Sequence, residues 1–274
     1  MVRVDCRRDE QWLEKVLEAV RITGVAVVEG VLDDQLVEET HGRLYDVQQR
    51  IREDVGEERL TAAGELGVLR LMLRYDDFFF RFMELPEVLA FVDATVSETA
   101  TLHVQNGLVL PSFDDGAAPQ VFQNRFHRDF PRILNGHLMS VNTFFALHEF
   151  SEETGGTLFV PGTHQREGRP ADHYVLSEAA TAECPPGSMV VFDSTVWHAA
   201  GDNRSGRDRM AINQQFTRSY VKQQVDYVRA LGDEVVEAQA PRTQQLLGWY
   251  TRVVSSLDEF YRPADQRLYR GGQG

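Results

Sequence analysis

The sequence predicts a double-sheet jelly roll with a helical flank. Three observations carry that expectation. Apolar residues recur at helical period through much of the first hundred positions. From Leu102 the texture changes to short strand-like runs separated by Gly, Pro and Asp turns. Beyond Val221 it returns to helix. The 274 residues suffice for one large domain or two small ones. No repeat, low-complexity tract or linker divides them, so one domain is expected over 1–274. It comprises a helical flank of about 1–100, a β-core of about 101–220 and a helical tail of about 221–274.

Trp12, Leu13, Val16, Leu17 and Val20 share one helical face, which Gly24 terminates before the β-branched run Val25–Val28. Asp33 or Asp34 caps a second helix carrying Leu36, Val37, His41, Leu44 and Val47 on one side. Residues 52–66 read as a mobile polar surface segment, and 76–100 as helix interrupted at Pro86. The clearest strands are Leu102–Leu110, Val121–His127, His137–His148, Gly156–Val160, Ser188–Phe192 and Arg209–Thr217. The Thr163–Ala182 loop is long for a compact domain, and such loops often close over substrate. Gln244–Val254 reads as helix in the tail, and the last four residues as a frayed end.

Composition narrows the function classes. The balance of 28 basic against 42 acidic residues, net −14, opposes binding to nucleic acid or to anionic membranes. No run approaches the ~20 apolar residues of a membrane helix. No apolar segment follows the basic N-terminal residues, so secretion is not expected. Cys6 and Cys184 are too few and too far apart for a disulfide framework or zinc cluster, which fits a reduced, cytoplasmic protein. The expected partner is a small molecule, with the chain a monomer or weak homo-oligomer. Arg125, Arg128 and Arg132 form a local basic cluster against the global sign, so an anionic small substrate remains compatible.

The chemistry concentrates in Gln123–Phe130. Residues two apart on a strand share a face, so His127 and Asp129 can grip one ion. A second histidine from elsewhere completes a facial triad of two imidazoles and a carboxylate. That set leaves positions open and suits non-haem Fe(II), which must admit a bidentate cosubstrate and O₂. His198, after the strand-like run Pro186–Asp193, is the best third ligand. Arg209 opens the next strand, where a guanidinium would hold the far carboxylate of 2-oxoglutarate bidentately. A lone His-x-Asp is weak. The order His-x-Asp, strands, Pro-Gly, apolar strand, His and then Arg is much more specific.

In that order of motifs the chain resembles the phytanoyl-CoA dioxygenase family of Fe(II)/2-oxoglutarate oxygenases, from about Thr23 to about Tyr250. Thr23–Asp34 is similar to the family's first strand and following helix, and His127-Arg128-Asp129 to its metal motif. Glu153–His164 is similar to its Gly-rich turn and Pro-Gly-Thr-His element. Pro186–His198 resembles the distal-ligand strand, and Arg209 stands where the family binds 2-oxoglutarate. The resemblance implies a double-stranded β-helix with iron at one mouth. It further implies that 2-oxoglutarate is decarboxylated to succinate and CO₂ while O₂ oxidises a small metabolite, usually by hydroxylation. Halogenating relatives replace the carboxylate ligand by a small residue, so Asp129 argues against halogenation. Some relatives carry a serine where this chain has Ala200, which leaves Gln105 as the candidate donor to the cosubstrate. Phe144 stands where relatives often place a tryptophan beside the oxo acid.

Other residues carry open readings. If its strand is regular, Arg125 points into the pocket with His127, either to pair with an anion of substrate or cosubstrate or to form a structural salt bridge. His137 and His148 read as structural. His164 is the rival to His198 but sits in a turn where it is expected to hydrogen-bond the loop. His103 and Gln105 alternate on one face, to contact substrate or to pack. Phe78, Phe79, Phe80 and Phe82 read as helix packing rather than a recognition patch. Trp197 walls the pocket or fills the barrel.

The leading function is therefore an Fe(II)/2-oxoglutarate-dependent hydroxylase of a small metabolite. The same centre can serve desaturation, epimerisation or cyclisation. Two histidines and a carboxylate also bind zinc, as in a hydrolase or cupin-like lyase, but that reading leaves Arg209 without a role. A jelly-roll binder without metal is the third class, against which the intact triad argues.

Overall fold

A computed structural model describes residues 1–113, 124–134 and 136–273. The strands are β1 (Val2–Asp5), β2 (Val25–Glu29), β3 (Val68–Arg70), β4 (Thr101–Leu110), β5 (Ser140–Ala146), β6 (Leu158–Val160), β7 (Ala180–Thr181), β8 (Met189–Asp193), β9 (Trp197–Ala199) and β10 (Arg209–Thr217). Seven form a large sheet in the order β1-β2-β8-β5-β10-β4-β3, and three a small sheet in the order β7-β6-β9. Every strand contact in the large sheet is antiparallel except β1 on β2.

Side-chain alternation sorts the strands into two apolar layers. On β5 and β10, Val141, Phe145, Met210, Ile212 and Phe216 face the helices, whereas Phe144, Ala146 and Ala211 face the small sheet. The first layer is the larger core. It takes in α1 (Trp12–Thr23), α2 (Asp34–Val55), α3 (Glu57–Ala62), α4 (Arg81–Glu84) and α5 (Pro86–Thr95). The second layer lies between the sheets, the jelly-roll interior, and holds the candidate site.

Several helix ends follow the sequence directly. Gly24 closes α1 in the left-handed region at φ 86° and donates its N–H to Val20 O. Asp33 caps α2 by accepting from Leu36 N at 2.7 Å. Pro86 opens α5 at its first turn, where its missing N–H costs nothing. At Gly107 a Cβ would lie 2.5 Å from Met72 Sδ and 2.7 Å from Leu44 Cδ2, so a side chain there would displace the buried residues that seat the helical layer on β4.

The structure corrects four expectations. Residues 52–66 are largely the end of α2 and α3, because Ile51 and Leu60 bury an apolar side under a polar exterior. The Thr163–Ala182 loop contains a 3₁₀ turn (Thr163–Gln165), α6 (Asp172–Glu178) and β7. In the tail, α7 (Tyr227–Leu231), α8 (Asp233–Glu237), α9 (Pro241–Leu246) and α10 (Leu257–Phe260) replace longer helices, and Gly248 at φ 88° stops α9. Of the strand expected over Val121–His127, residues 121–123 lie outside the described residues. The rest is not a strand, for its ladder pairing is a single antiparallel bridge, His127 to His198. The flank and core also interleave, since β1, β2 and β3 come from the first hundred residues and join the large sheet. No described helix is long and apolar enough to cross a membrane.

Candidate functional site

His127, Asp129 and His198 converge between the two sheets. His198 lies in β9, in register with Phe159 of β6, and is 6% exposed, with its ring against those of Phe159 and Phe192. His127 comes from the irregular segment and is fixed by reciprocal backbone bonds with His198, N→O at 2.9 Å and 3.0 Å. Two residues on, the N–H groups of Asp129 and Phe130 both donate to Ser194 O at 2.9 Å. The bridge and this paired anchor bring both ligands to the rim of β9 without a strand.

The donor atoms fit a single metal ion. Asp129 Oδ1 lies 3.4 Å from His127 Nε2, and its Oδ2 3.7 Å from His198 Nε2. One ligand atom from each residue falls within 4.8 Å of the other two. Nδ1 of His127 contacts Arg125 O at 2.7 Å, and Nδ1 of His198 contacts Val196 O at 3.0 Å. A carbonyl only accepts, so each ring carries a proton on Nδ1 and presents Nε2 to Asp129, where it can take up either a second proton or a metal ion. This is the tautomer a metal-ligating histidine requires. Burial pushes the His198 pKa down, with Asp129 opposing it. Burial also pulls on His127, but the hydrogen bond and charge of Asp129 outweigh it and raise that pKa. Burial disfavours the Asp129 carboxylate, yet the two imidazoles and Asn142 hold its pKa below the usual range.

A polar ladder that the sequence reading missed orients Asp129. Asn142 Nδ2 donates to Asp129 Oδ2 at 2.9 Å and to Asn213 Oδ1 at 3.1 Å, while Ser194 Oγ donates to Asn142 Oδ1 at 2.6 Å. Gln215 Nε2 donates to Ser140 Oγ at 2.9 Å, and Ser140 meets Ser194 Oγ at 2.7 Å. The available signal was period two: Ser140, Asn142 and Phe144, like Asn213 and Gln215, share the inner face of strands whose outer face is apolar.

The described residues enclose a cavity of about 370 Å³ beside the triad. Arg209 lies on its wall, 2% exposed, over the Phe150 ring at 5.3 Å and donating from Nη1 to Gly155 O. Its Nε has no hydrogen-bond partner among the described residues, and no carboxylate there pairs with it. Burial alone lowers its pKa, to about 10, which leaves it a cation at neutral pH. Phe144 also lines the cavity, as do Asn106, Thr157 and Asn213.

Two candidate residues point elsewhere. Gln105 is buried on the opposite face of β4, where Nε2 donates to Phe79 O at 3.1 Å. The reason is a bulge: Gln215 pairs with Val104 and Phe216 with Leu102, so His103 is an extra residue in β4. His103 and Val104 therefore both reach the cavity, and the alternation beyond them is reversed relative to a regular strand. Arg125 is exposed and absent from the described cavity wall, because its segment is not a strand and strand parity does not govern it.

The remaining histidines lie outside the triad. His164 Nε2 contacts Arg21 O at 3.2 Å, His137 contacts Tyr220 Oη at 3.2 Å, and His148 stacks on His41 with ring centres 4.5 Å apart. Trp197 donates to Gly168 O at 3.2 Å on the far side of β9. Phe78, Phe79, Phe80 and Phe82 pack in the helical layer, with Phe82 against Phe145 of β5 at 5.3 Å.

Comparison with known proteins agrees with this geometry. The profile of the family described as phytanoyl-CoA dioxygenase (PhyH) matches residues 20–211. Uncharacterised proteins of Mycobacterium bovis and Mycobacterium tuberculosis are each 59% identical over 262 residues, covering 96% of this chain and 96% of theirs. A dioxygenase of Talaromyces verruculosus is 33% identical over 152 residues, 52% of this chain and 49% of its own. Among solved structures, the non-haem α-ketoglutarate-dependent epimerase SnoN of nogalamycin biosynthesis superposes with TM-score 0.58 at 18% identity, covering 80% of this chain and 87% of its own. A non-haem monooxygenase in complex with nickel, ThoJ, gives 0.58 at 14% identity over 77% and 80%. At those identities the two structures show the shared fold.

Proposed function

This chain belongs to the phytanoyl-CoA dioxygenase family of Fe(II)/2-oxoglutarate-dependent enzymes, and on that premise we propose that it hydroxylates a small organic molecule. The balanced reaction is substrate C–H + 2-oxoglutarate + O₂ → substrate C–OH + succinate + CO₂. One observation carries the reading. A two-histidine, one-carboxylate donor set and a buried arginine with no carboxylate partner among the described residues share one cavity. The donor set suits iron with open positions, and the arginine suits a dicarboxylate.

His127, Asp129 and His198 would hold the metal, which when bound with the oxo acid supplies the oxidising chemistry. The protein's own residues do the rest. Asn142 and the Ser194–Ser140–Gln215 ladder fix the Asp129 carboxylate so that it meets the ion without reorganising. Arg209 would bind the distal carboxylate of 2-oxoglutarate as a charge-assisted pair contributing ~1.5–3 kcal/mol. Leu108, Leu110, Phe144 and Phe192 line the same cavity, and there they keep water from the reacting groups. With Ala200 in the wall and Gln105 turned away, Thr157 and Asn213 are polar side chains of the same cavity that could assist Arg209.

Anaerobic Fe(II)-loaded protein given 2-oxoglutarate and then O₂ should form succinate. Arg209→Gln should raise the 2-oxoglutarate KM ~10- to 100-fold, the factor matching the energy above. Iron affinity in that variant should stay close to wild type. A wild-type protein that binds no iron and forms no succinate would overturn the assignment. Product mass separates the outcomes of the same centre: hydroxylation adds one oxygen atom, epimerisation adds none, and desaturation or ring closure removes two hydrogens.

A further inference from the structure

Around the bulge the outer edge of β4 lies open. β3 ends at Arg70 and pairs only with Asn106–Leu108, so the backbone of residues 102–105 has no strand on that side. The segment entering α7 takes up those groups: Gln223 Nε2 donates to Leu102 O at 2.7 Å, Val225 N to His103 O at 3.3 Å, and Gln105 N to Tyr227 Oη at 2.8 Å. Residues 223, 225 and 227 thus clasp the edge of β4, and Gln224, of opposite parity, stands exposed at the cavity mouth. Arg209 pairs with Leu110 at the other end of β4, seven positions from His103. At ~3.3 Å per residue that separation exceeds the reach of a five-carbon diacid. His103 and Gln224 therefore face the part of the cavity a cosubstrate anchored on Arg209 leaves open.

Two polar atoms of that wall lack partners. His103 Nδ1 and Asn106 Oδ1 are buried without a hydrogen bond among the described residues, and Asn106 is only 6% exposed. Native proteins leave few such atoms unpaired, because each is destabilising unless water or a ligand supplies the partner. Two nearby cations are engaged by protein groups. Arg70, also on the wall, is held bidentately by Glu65 at 2.6 and 2.7 Å. Arg128 donates from one Nη to Thr163 O and Arg166 O and lies over the Trp197 ring, and its buried Nε alone has no partner among the described residues. Asp129, a metal-ligand candidate, is the one carboxylate residue among the described lining.

We propose that His103, Asn106 and Gln224 form the substrate-recognition wall and that it takes an uncharged, hydroxyl-bearing small molecule. Imidazole and primary amides each offer both a donor and an acceptor. A hydroxyl answers both from one atom, whereas a carboxylate leaves the acceptors unpaired and an ammonium leaves the donors unpaired. The oxidation of this substrate rests on the oxygenase reading, but its binding does not.

The test measures binding without turnover. Protein loaded anaerobically with Fe(II) and 2-oxoglutarate is titrated with myo-inositol, methyl β-glucoside, cyclohexanecarboxylate and cyclohexylamine, which share a six-membered ring and differ in polar chemistry. The hydroxylated probes should bind more tightly than the charged ones. His103→Leu should weaken them at least ~10-fold, His103→Gln no more than ~3-fold, and Gln224→Ala to an intermediate degree. Gln224 is exposed, so its variant keeps the test readable if His103→Leu does not fold. Tighter binding of either charged probe, or unchanged binding in the folded wall variants, would overturn the proposal. Absence of succinate from wild type in a parallel aerobic assay would instead count against the oxygenase reading.

Discussion

The two sides of the candidate metal centre are built in opposite ways. His198 sits within a strand, packed between the rings of Phe159 and Phe192. His127 and Asp129 lie on an irregular segment held by one backbone bridge, two N–H groups on Ser194 O and a hydrogen bond from Asn142. The contrast shows that a ligand does not need a strand to be fixed. Where ladder bonds are few, side chains of neighbouring strands carry the positioning, and the centre should be sensitive there.

His127→Ala and His198→Ala give the largest effects and separate the two designs. Both should lower metal affinity by at least the ~100-fold that outer partners alone can reach. Only His198→Ala, which empties a buried site, should also lower the melting temperature of metal-free protein markedly. Equal shifts in that temperature would remove the distinction. Asn142→Leu sharpens it next. With all three ligands intact, metal affinity should fall ~10- to 100-fold, as measured by titration with Co(II). An unchanged affinity would mean that the backbone bridge suffices to orient Asp129.

The smallest effect concerns the packing outside the centre. His148 Nδ1 accepts from Met210 N at 3.1 Å. Burial, then the charges of His41 and Arg207, push its pKa down to about 4. The unfolded chain takes up this proton near pH 6.5 while the folded chain refuses it, so folding loses stability as pH falls from about 6.5 toward 4. His148 is half-buried, so solvent screening reduces the loss to ~1 kcal/mol. Thermal melts at pH 7 and pH 5 should differ less in His148→Gln than in wild type.

What the sequence disclosed depended on whether local chemistry or long-range pairing decided the outcome. Arg209–Thr217 is legible to the residue because apolar Met210, Ile212 and Phe216 recur at even spacing between clear turns. Gly24, Asp33 and Pro86 announce helix ends through their own backbone chemistry. His127, Asp129 and His198 stand out because few side chains serve that chemistry, although the strand expected to carry the first two does not exist there. Gln105 and His103 were not separable by period, because a bulge changes facing through one unpaired residue and leaves composition untouched. Asn142 and Ser194 are ordinary polar residues 52 positions apart in sequence, and only the β5–β8 pairing brings them together. The helical reading beyond Val221 likewise could not foresee residues 223–227 clasped along β4.

If Arg209 anchors 2-oxoglutarate as proposed, its burial has a thermodynamic consequence as well. Burying a cation with no opposing charge among the described residues raises the free energy of the folded protein relative to the unfolded chain, where the guanidinium is hydrated. A dicarboxylate that reaches it relieves that cost while also stabilising by mass action, ~2.7 kcal/mol at one hundred times its dissociation constant. Melting temperature thus becomes a gauge of 2-oxoglutarate occupancy that needs no turnover. The cell's supply of that metabolite would then set how long the folded enzyme persists as well as how fast it works.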